Sequence, residues 1–298
     1  GDQGANLYGE EPWTYYPRNL ALNFNLVALL GFVSGFILLI VPATDSRRRN
    51  WALMTLAGMY LTFAVLQPMA HKEERFLTMV YPALCLGSAL VIDACLVLVV
   101  DGVHVGSKHA PWRRGLASAA RAGCVCVVAL VATLGASRSA ALVRNFGAPL
   151  EVYAALPAPA AHVCVGKEWY RFPTTFFLPE RAPPLLWIRS GFTGQLPQPY
   201  GPWPHGLSSL PTHMNDMNAD EPSRYSSQSA CQYIVDLDLP GEQVEASVVA
   251  DTATWEKVHC APFLDATRST STLFRAFYVP ILSGHHNTFA EYCLLARR

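Results

Sequence analysis

Four long apolar stretches in the first 136 residues limit what this chain can fold into more than any other feature. A helix that crosses a bilayer needs roughly 20 mostly apolar residues. The stretches that reach this length are residues 20–41, 51–70, 77–100 and 116–136. Four buried helices of a soluble protein are a weak alternative, because they would leave little polar surface to cover them. We therefore predict four transmembrane helices.

The polar residues gather in the rest of the chain. Only 15% of the 298 residues are charged, against about 25% in soluble proteins, and nearly all of the deficit lies before Ala136. We expect residues 137–298 to form a soluble α+β domain, with strands at 162–166, 233–237 and 274–281. The net charge of zero excludes a bulk basic surface for nucleic acid.

Positive charges between the apolar stretches orient them. Three arginines occupy residues 47–49, and a lysine and two arginines lie within residues 108–114. Short loops rich in Lys and Arg stay on the cytosolic side of a membrane. Residues 1–19, the loop at 71–76 and the domain at 137–298 are then predicted to share the opposite, lumenal side.

The polar half of the chain contains four cysteines, Cys164, Cys231, Cys260 and Cys293. In an oxidising compartment they can form up to two disulfides, and four cysteines allow three connectivities. Their spacing selects none of these. It also matches no metal-binding pattern, and we expect neither a metal ion nor a cofactor.

The densest group of charged residues is the run at 71–76, between two predicted spans. Lys72 and Arg75 suit phosphate recognition, one as a point charge and the other as a bidentate fork. His71 can donate a hydrogen bond or a proton. Glu73 and Glu74 can balance the cations or act as a base. The alternative is a solvated turn whose side chains anchor the helices at the membrane surface.

A second group lies just before the first span and combines carboxylates with aromatic rings. Trp and Tyr at this position usually form an interfacial belt. Aromatic rings also stack on sugars, and a carboxylate can bind sugar hydroxyls. Glu11, Trp13 and Tyr15 are therefore candidates for binding a sugar acceptor, and the belt is an equally good interpretation.

Several of these segments resemble one known family. The run at 71–76 is similar to the H-K-E-x-R-F signature of glycosyltransferase family twenty-two, in the GT-C superfamily. Other segments resemble the branch of that family that forms α-1,2-mannosidic linkages in the endoplasmic reticulum, and they are residues 8–13, 23–25, 163–173, 214–216, 221–225 and 263–266. The resemblance extends over essentially the whole chain.

The resemblance implies an inverting mannosyltransferase of the endoplasmic reticulum membrane. It would transfer mannose from dolichyl-phosphate mannose to the lipid-linked oligosaccharide of N-glycan assembly. Because both substrates are lipid-anchored, the site must lie at the lumenal membrane edge. The leaving lipid phosphate needs fixed cations, and His71, Lys72 and Arg75 are the donor-phosphate candidates.

The resemblance also implies that the chain is the C-terminal half of a longer enzyme. In this family the acidic residues usually given the base role lie in an earlier lumenal loop. We therefore expect the general base outside this chain, with Glu73 and Glu74 as the remaining candidates, and we expect the chain alone to be inactive.

Three other functions stay open at this point. A transporter or channel subunit would need polar residues along the spans, where Asp93 is the single charge of the third span. A membrane-anchored binding or scaffold protein would need no base. A sister mannosyltransferase would act on an α-1,6 branch or a glycolipid anchor, and should lack the motifs of the C-terminal half.

Overall fold

A computed structural model describes most of the chain. The described residues are 8–41, 46–104, 111–157, 161–170, 178, 182–197, 204–206, 208, 215, 217–239 and 247–298. Some positions used in the sequence predictions are not among the described residues. These positions are 1–7, 42–45, 105–110, 171–173, 214 and 216. The chain divides into two compact units, the first ending at Arg138 and the second formed by Ser139–Arg298.

Helices build the first unit, and the last of them continues into the second. They are α1 (Tyr15–Phe24), α2 (Leu26–Ile40), α3 (Ser46–Leu66), α4 (Tyr81–His104) and α5 (Pro111–Phe146). Among the described residues, α4 and α5 are long and apolar enough to cross a membrane, and the bent pair α1–α2 is a third candidate if it counts as one span. The helical membrane region and the sheet that follows it are thus confirmed, whereas four spans and a lumenal side stay predictions.

The first predicted span, residues 20–41, is wrong as a continuous helix. It breaks at Asn25, where α1 and α2 form a bend of 111°. Asn25 has a φ of 43°, and its side chain accepts a hydrogen bond from the Leu26 amide at 2.7 Å. Asn tolerates this left-handed conformation because its short polar side chain bonds locally.

Small residues bring α2 and α4 close together. A Cβ added to Gly31 would lie 2.6 Å from the carbonyl oxygen of Leu84, and one added to Gly87 would lie 2.5 Å from the Ser34 hydroxyl. Close backbone approach through such residues is a common way to pack helices in membranes, where no hydrophobic effect drives helices together.

A mixed sheet forms the centre of the second unit. Its described strands are β1 (Val163–Val165), β2 (Leu186–Trp187), β3 (Tyr233–Asp238), β4 (Trp255–Asp265) and β5 (Thr288–Arg297). Their order is β2-β1-β3-β5-β4, with β1 parallel to both neighbours and β5 antiparallel to both of its own. The short helices are α6 (Ala148–Ala154), α7 (Thr272–Ala276) and α8 (Leu282–His286).

The predicted strands at 162–166 and 233–237 are confirmed as β1 and β3, but the strand at 274–281 is wrong. Helix α7 occupies its beginning, and the Ser271 side chain caps that helix by accepting a hydrogen bond from the Phe274 amide, as serine often does at a helix N-terminus. The longest strands, β4 and β5, were missed. β4 is an edge strand, and Pro262 lies within it, a position where proline is tolerated.

Two disulfides link strands and loops of the second unit. Cys164 of β1 pairs with Cys231, and Cys260 of β4 pairs with Cys293, which lies opposite it on β5. This is one of the three connectivities that the sequence allowed. Glu291 lies beside the second pair, but both sulfurs are already bonded to each other, so this group offers no thiolate to a metal ion.

Asp265 organises the turn that follows β4. One carboxylate oxygen accepts hydrogen bonds from the amides of Thr267 and Arg268 at 2.9 and 3.1 Å, and the other accepts one from the Arg268 side chain at 2.6 Å. Burial raises the pKa of this carboxyl, but the hydrogen bonds outweigh burial and lower the pKa from 3.8 to about 2.

The contact between α2 and α4 can be tested with two glycine substitutions. Gly31→Ala places a methyl group against the Leu84 backbone, so we expect it to lower the free energy of unfolding by about 1–3 kcal/mol. Gly58→Ala is the matched control, since a Cβ at that helical position meets nothing within 4 Å. Thermal unfolding in detergent should show a lower midpoint for Gly31→Ala alone, and equal midpoints would contradict the close packing.

The Asp265 turn predicts a pH dependence of stability. Because the pKa is lower in the folded protein, the ionised carboxylate stabilises the fold above pH 4, and this contribution of about 2 kcal/mol is lost as the pH falls toward 2. Asp265→Asn should lower the unfolding midpoint at pH 7 and flatten its change between pH 4 and pH 2. A variant with the full acid sensitivity of the natural protein would refute this role.

Candidate active site

Two candidate segments of the sequence meet in the first unit. The N-terminal segment, residues 8–14, precedes α1, and the charged loop, residues 71–76, joins α3 to α4. The Glu11 amide donates a hydrogen bond to the Ala70 carbonyl at 3.0 Å, immediately before the charged loop. The two groups that the sequence suggested separately therefore form one site.

Lys72 fastens the two segments together. Its side chain is buried, with the residue only 5% exposed, and its ammonium donates to the carbonyls of Glu11 at 2.9 Å and Met69 at 2.5 Å. An ammonium has three donors, so two of them are committed to the backbone. A phosphate-binding role for Lys72 stays a prediction. Its observed hydrogen bonds link the N-terminal segment to the end of α3 beside the charged loop.

His71 lies between two acceptors. Its Nδ1 is 3.1 Å from the Gly9 carbonyl, and its Nε2 is 3.0 Å from a carboxylate oxygen of Glu73. Both partners are acceptors, so each ring nitrogen faces a group to which it can donate. Gly9 has a φ of 96°, a conformation in which any side chain would be strained, so glycine is what lets this carbonyl reach the ring.

Glu73 and Arg75 form a bidentate ion pair. Arg75 Nη2 lies 2.7 Å from one carboxylate oxygen, and its Nε lies 2.5 Å from the other. Desolvation raises the pKa of Glu73, but the hydrogen bonds from His71 and Arg75 outweigh it and hold the pKa below its usual value. The Arg75 side chain is 73% exposed, so its guanidinium is fixed in orientation yet open to solvent.

Glu74 belongs to a separate chain of polar contacts. Its carboxylate accepts a hydrogen bond from the Asn23 side chain at 2.7 Å, and the Tyr81 hydroxyl lies 3.4 Å away. Asn23 in turn accepts one from Arg138 at 3.2 Å. Glu74 is exposed, and these contacts connect the charged loop with α1, α4 and α5.

The three residues proposed to bind the sugar acceptor lie in different environments. Glu11 contributes its backbone to the site, as described above, and its side chain is half-buried. Trp13 is 71% exposed. Tyr15 packs edge-to-face on Tyr16 with ring centroids 5.6 Å apart. Sugar binding by these residues stays a prediction, and Trp13 is the most exposed of the three.

Sequence reasoning did not assign roles to several residues that shape this site. Tyr8 lies with its ring 5.9 Å from the His71 ring, Gly9 supplies a carbonyl, and Asn23 holds Glu74. Their one signal was the family resemblance of residues 8–13 and 23–25. Asp93, in contrast, lies exposed on α4, and no described contact joins it to the charged loop.

The arrangement is suited to binding an anion next to an apolar surface. His71 and Arg75 are both bonded to the Glu73 carboxylate, and the Arg75 guanidinium lies 5.7 Å from the centre of the Phe76 ring. The loop directly precedes Tyr81–Val99, which is apolar enough to cross a membrane. A guanidinium binds phosphate oxygens through two parallel hydrogen bonds, so a lipid-linked phosphate fits this location.

Comparisons with known proteins point to one family. The Alg9-like mannosyltransferase family matches residues 2–179. The chain is 39% identical to alpha-1,2-mannosyltransferase ALG9 of Mus musculus, over 99% of this chain and 50% of the relative. It is 38% identical to that of Homo sapiens, over 99% and 50%, and 32% identical to that of Saccharomyces cerevisiae, over 94% and 48%.

The chain thus spans about half the length of the curated relatives it matches. No solved structure matches it. The resemblance to glycosyltransferase family twenty-two is confirmed, since the family match covers more than half of the chain and the relatives align along nearly all of it. The chain belongs to the Alg9-like mannosyltransferase family.

Proposed function

We propose that this chain is part of an α-1,2-mannosyltransferase that uses dolichyl-phosphate mannose as donor and the lipid-linked oligosaccharide of N-glycan assembly as acceptor. The observation that carries the proposal is the alignment of almost the entire chain with relatives named alpha-1,2-mannosyltransferases. The cationic loop beside an apolar helix supports it, because both substrates of such an enzyme are anchored in the membrane.

The reaction forms a bond between the anomeric carbon of mannose and an acceptor hydroxyl oxygen, and it breaks the bond to the lipid phosphate with inversion. Negative charge grows on the departing phosphate, and fixed cations stabilise it. Arg75 is best suited to this role, since it is exposed and held in orientation by Glu73. His71 remains a candidate for the same role, and Lys72 keeps the loop in place.

The acceptor hydroxyl loses its proton to a carboxylate. Glu73 is a poor proton acceptor, because hydrogen bonds from His71 and Arg75 outweigh its desolvation and lower its pKa. Glu74 is the better candidate of the two, with hydrogen bonds from neutral groups only in the described contacts. We assign the base to a part of the enzyme outside this chain, and we give Glu73 and Glu74 supporting roles.

A location in the endoplasmic reticulum membrane follows from the same proposal. The second unit contains two disulfides, which persist in oxidising compartments such as the reticulum lumen. The arginines at 47–49 favour the cytosol for the loop between α2 and α3. Both features support a lumenal position for the charged loop and for the second unit.

Transfer by a chimera tests the function. We would replace the matching half of the Mus musculus relative with this chain and assay microsomes that lack the endogenous enzyme. We expect transfer of mannose from dolichyl-phosphate mannose, with the product sensitive to an α-1,2-mannosidase. Arg75→Ala should lower kcat/KM at least about tenfold, because a hydrogen bond to a charged group contributes about 1.5–3 kcal/mol.

Arg48→Ala is the matched control, since it removes an exposed arginine from the opposite end of α3. It should leave transfer unchanged. A correctly inserted chimera without transfer would contradict the proposed function. Full activity of Arg75→Ala in an active chimera would contradict only the role of the charged loop.

A further inference from the structure

The second unit contains a cavity whose described lining includes none of the candidate residues of the transfer site. Its volume is about 690 Å³, and its lining includes Gly166 and Lys167 after β1, Arg189 and Ser190 after β2, and Asp236 of β3. Ligand sites in proteins measure about 300–1,000 Å³. The cavity therefore has the size of a small-molecule site.

The topology of the sheet favours a ligand at this place. β1 lies between β2 and β3, and all three strands are parallel. β2, the next strand along the chain, lies on one side of β1, and β3 lies on its other side. The direction in which successive strands are added to the sheet therefore reverses next to β1. Ligands of open sheets with parallel strands bind outside the carboxyl ends of the strands at such a reversal.

A buried ion pair forms one wall of the cavity. The Lys167 ammonium lies 3.5 Å from an oxygen of Asp236, and the two side chains are only 10% and 5% exposed. The other oxygen of Asp236 accepts a hydrogen bond from the Val248 amide at 2.7 Å. The two buried side chains thus neutralise each other at the wall of the cavity.

Both cations of the described lining are paired with carboxylates. Lys167 lies beside Asp236, Arg189 lies 3.6 Å from Asp220, which is outside the lining, and Asp251 adds a further carboxylate. A phosphorylated ligand would need unpaired cations, and a basic peptide would need several unpaired carboxylates. A sugar hydroxyl both donates and accepts hydrogen bonds, so it can use both kinds of group. The serine and glutamine side chains of the lining suit the same chemistry.

We propose that this cavity binds a neutral saccharide. The identification of that saccharide as a mannose branch of the acceptor oligosaccharide rests on the proposed function. The cavity would then hold a part of the glycan that does not react.

The test uses the full chain in lipid nanodiscs, without donor, and α-1,2-mannobiose as the probe in saturation-transfer NMR. Arg189→Ala removes a hydrogen-bond donor from the cavity lining. Gln228→Trp places a bulky ring in the lining, at an exposed position where it should not disturb the fold. Each should weaken binding at least about tenfold. Arg298→Ala, which removes an exposed arginine outside the lining, is the matched control.

Binding that is absent in the natural chain, or unchanged in both cavity variants, would overturn the proposal, as would displacement of the sugar by inorganic phosphate. The Arg75→Ala chain should bind the disaccharide like the natural one, because that residue belongs to the transfer site. A failure of sugar binding is thereby distinguished from a failure of the proposed transferase function.

Discussion

The buried ammonium of Lys72 is the interaction on which the candidate active site depends. Removing a charge from water is costly unless hydrogen bonds replace the lost solvent. Here the carbonyls of Glu11 and Met69 replace it, so the N-terminal segment must remain on the charged loop while the lysine stays buried. The Lys72 hydrogen bonds also help to position His71 and the Arg75–Glu73 pair, because all three residues belong to the same loop.

Uncharged residues position the side chains of the charged loop. Gly9 turns its carbonyl toward His71, and Asn25 bends the chain sharply between α1 and α2. Asn23, two residues before that bend, reaches Glu74. Gly31 lets α4, which begins just after the charged loop, approach α2. The site is thus a product of backbone geometry in several helices, although its chemistry lies in one loop.

Much of the fold could be predicted from the sequence, and the remainder depends on contacts between distant residues. Apolar length revealed the helices, and short apolar runs revealed β1 and β3. The bend at Asn25 was missed because its left-handed backbone is set by its surroundings. The disulfides could not be assigned, since the pairing of Cys260 with Cys293 depends on strand register. The burial of Lys72 was missed because a lysine in a charged run is typical of a solvated loop.

Hydrogen–deuterium exchange of residues 8–14 tests most directly whether the Lys72 hydrogen bonds hold the site together. In Lys72→Met the ammonium is replaced by an apolar side chain, so we predict much faster exchange of the Glu11 amide, which is bonded to Ala70. Arg75→Met should leave this amide protected, because the described hydrogen bonds of that side chain go to Glu73. Unchanged protection in Lys72→Met would contradict the account.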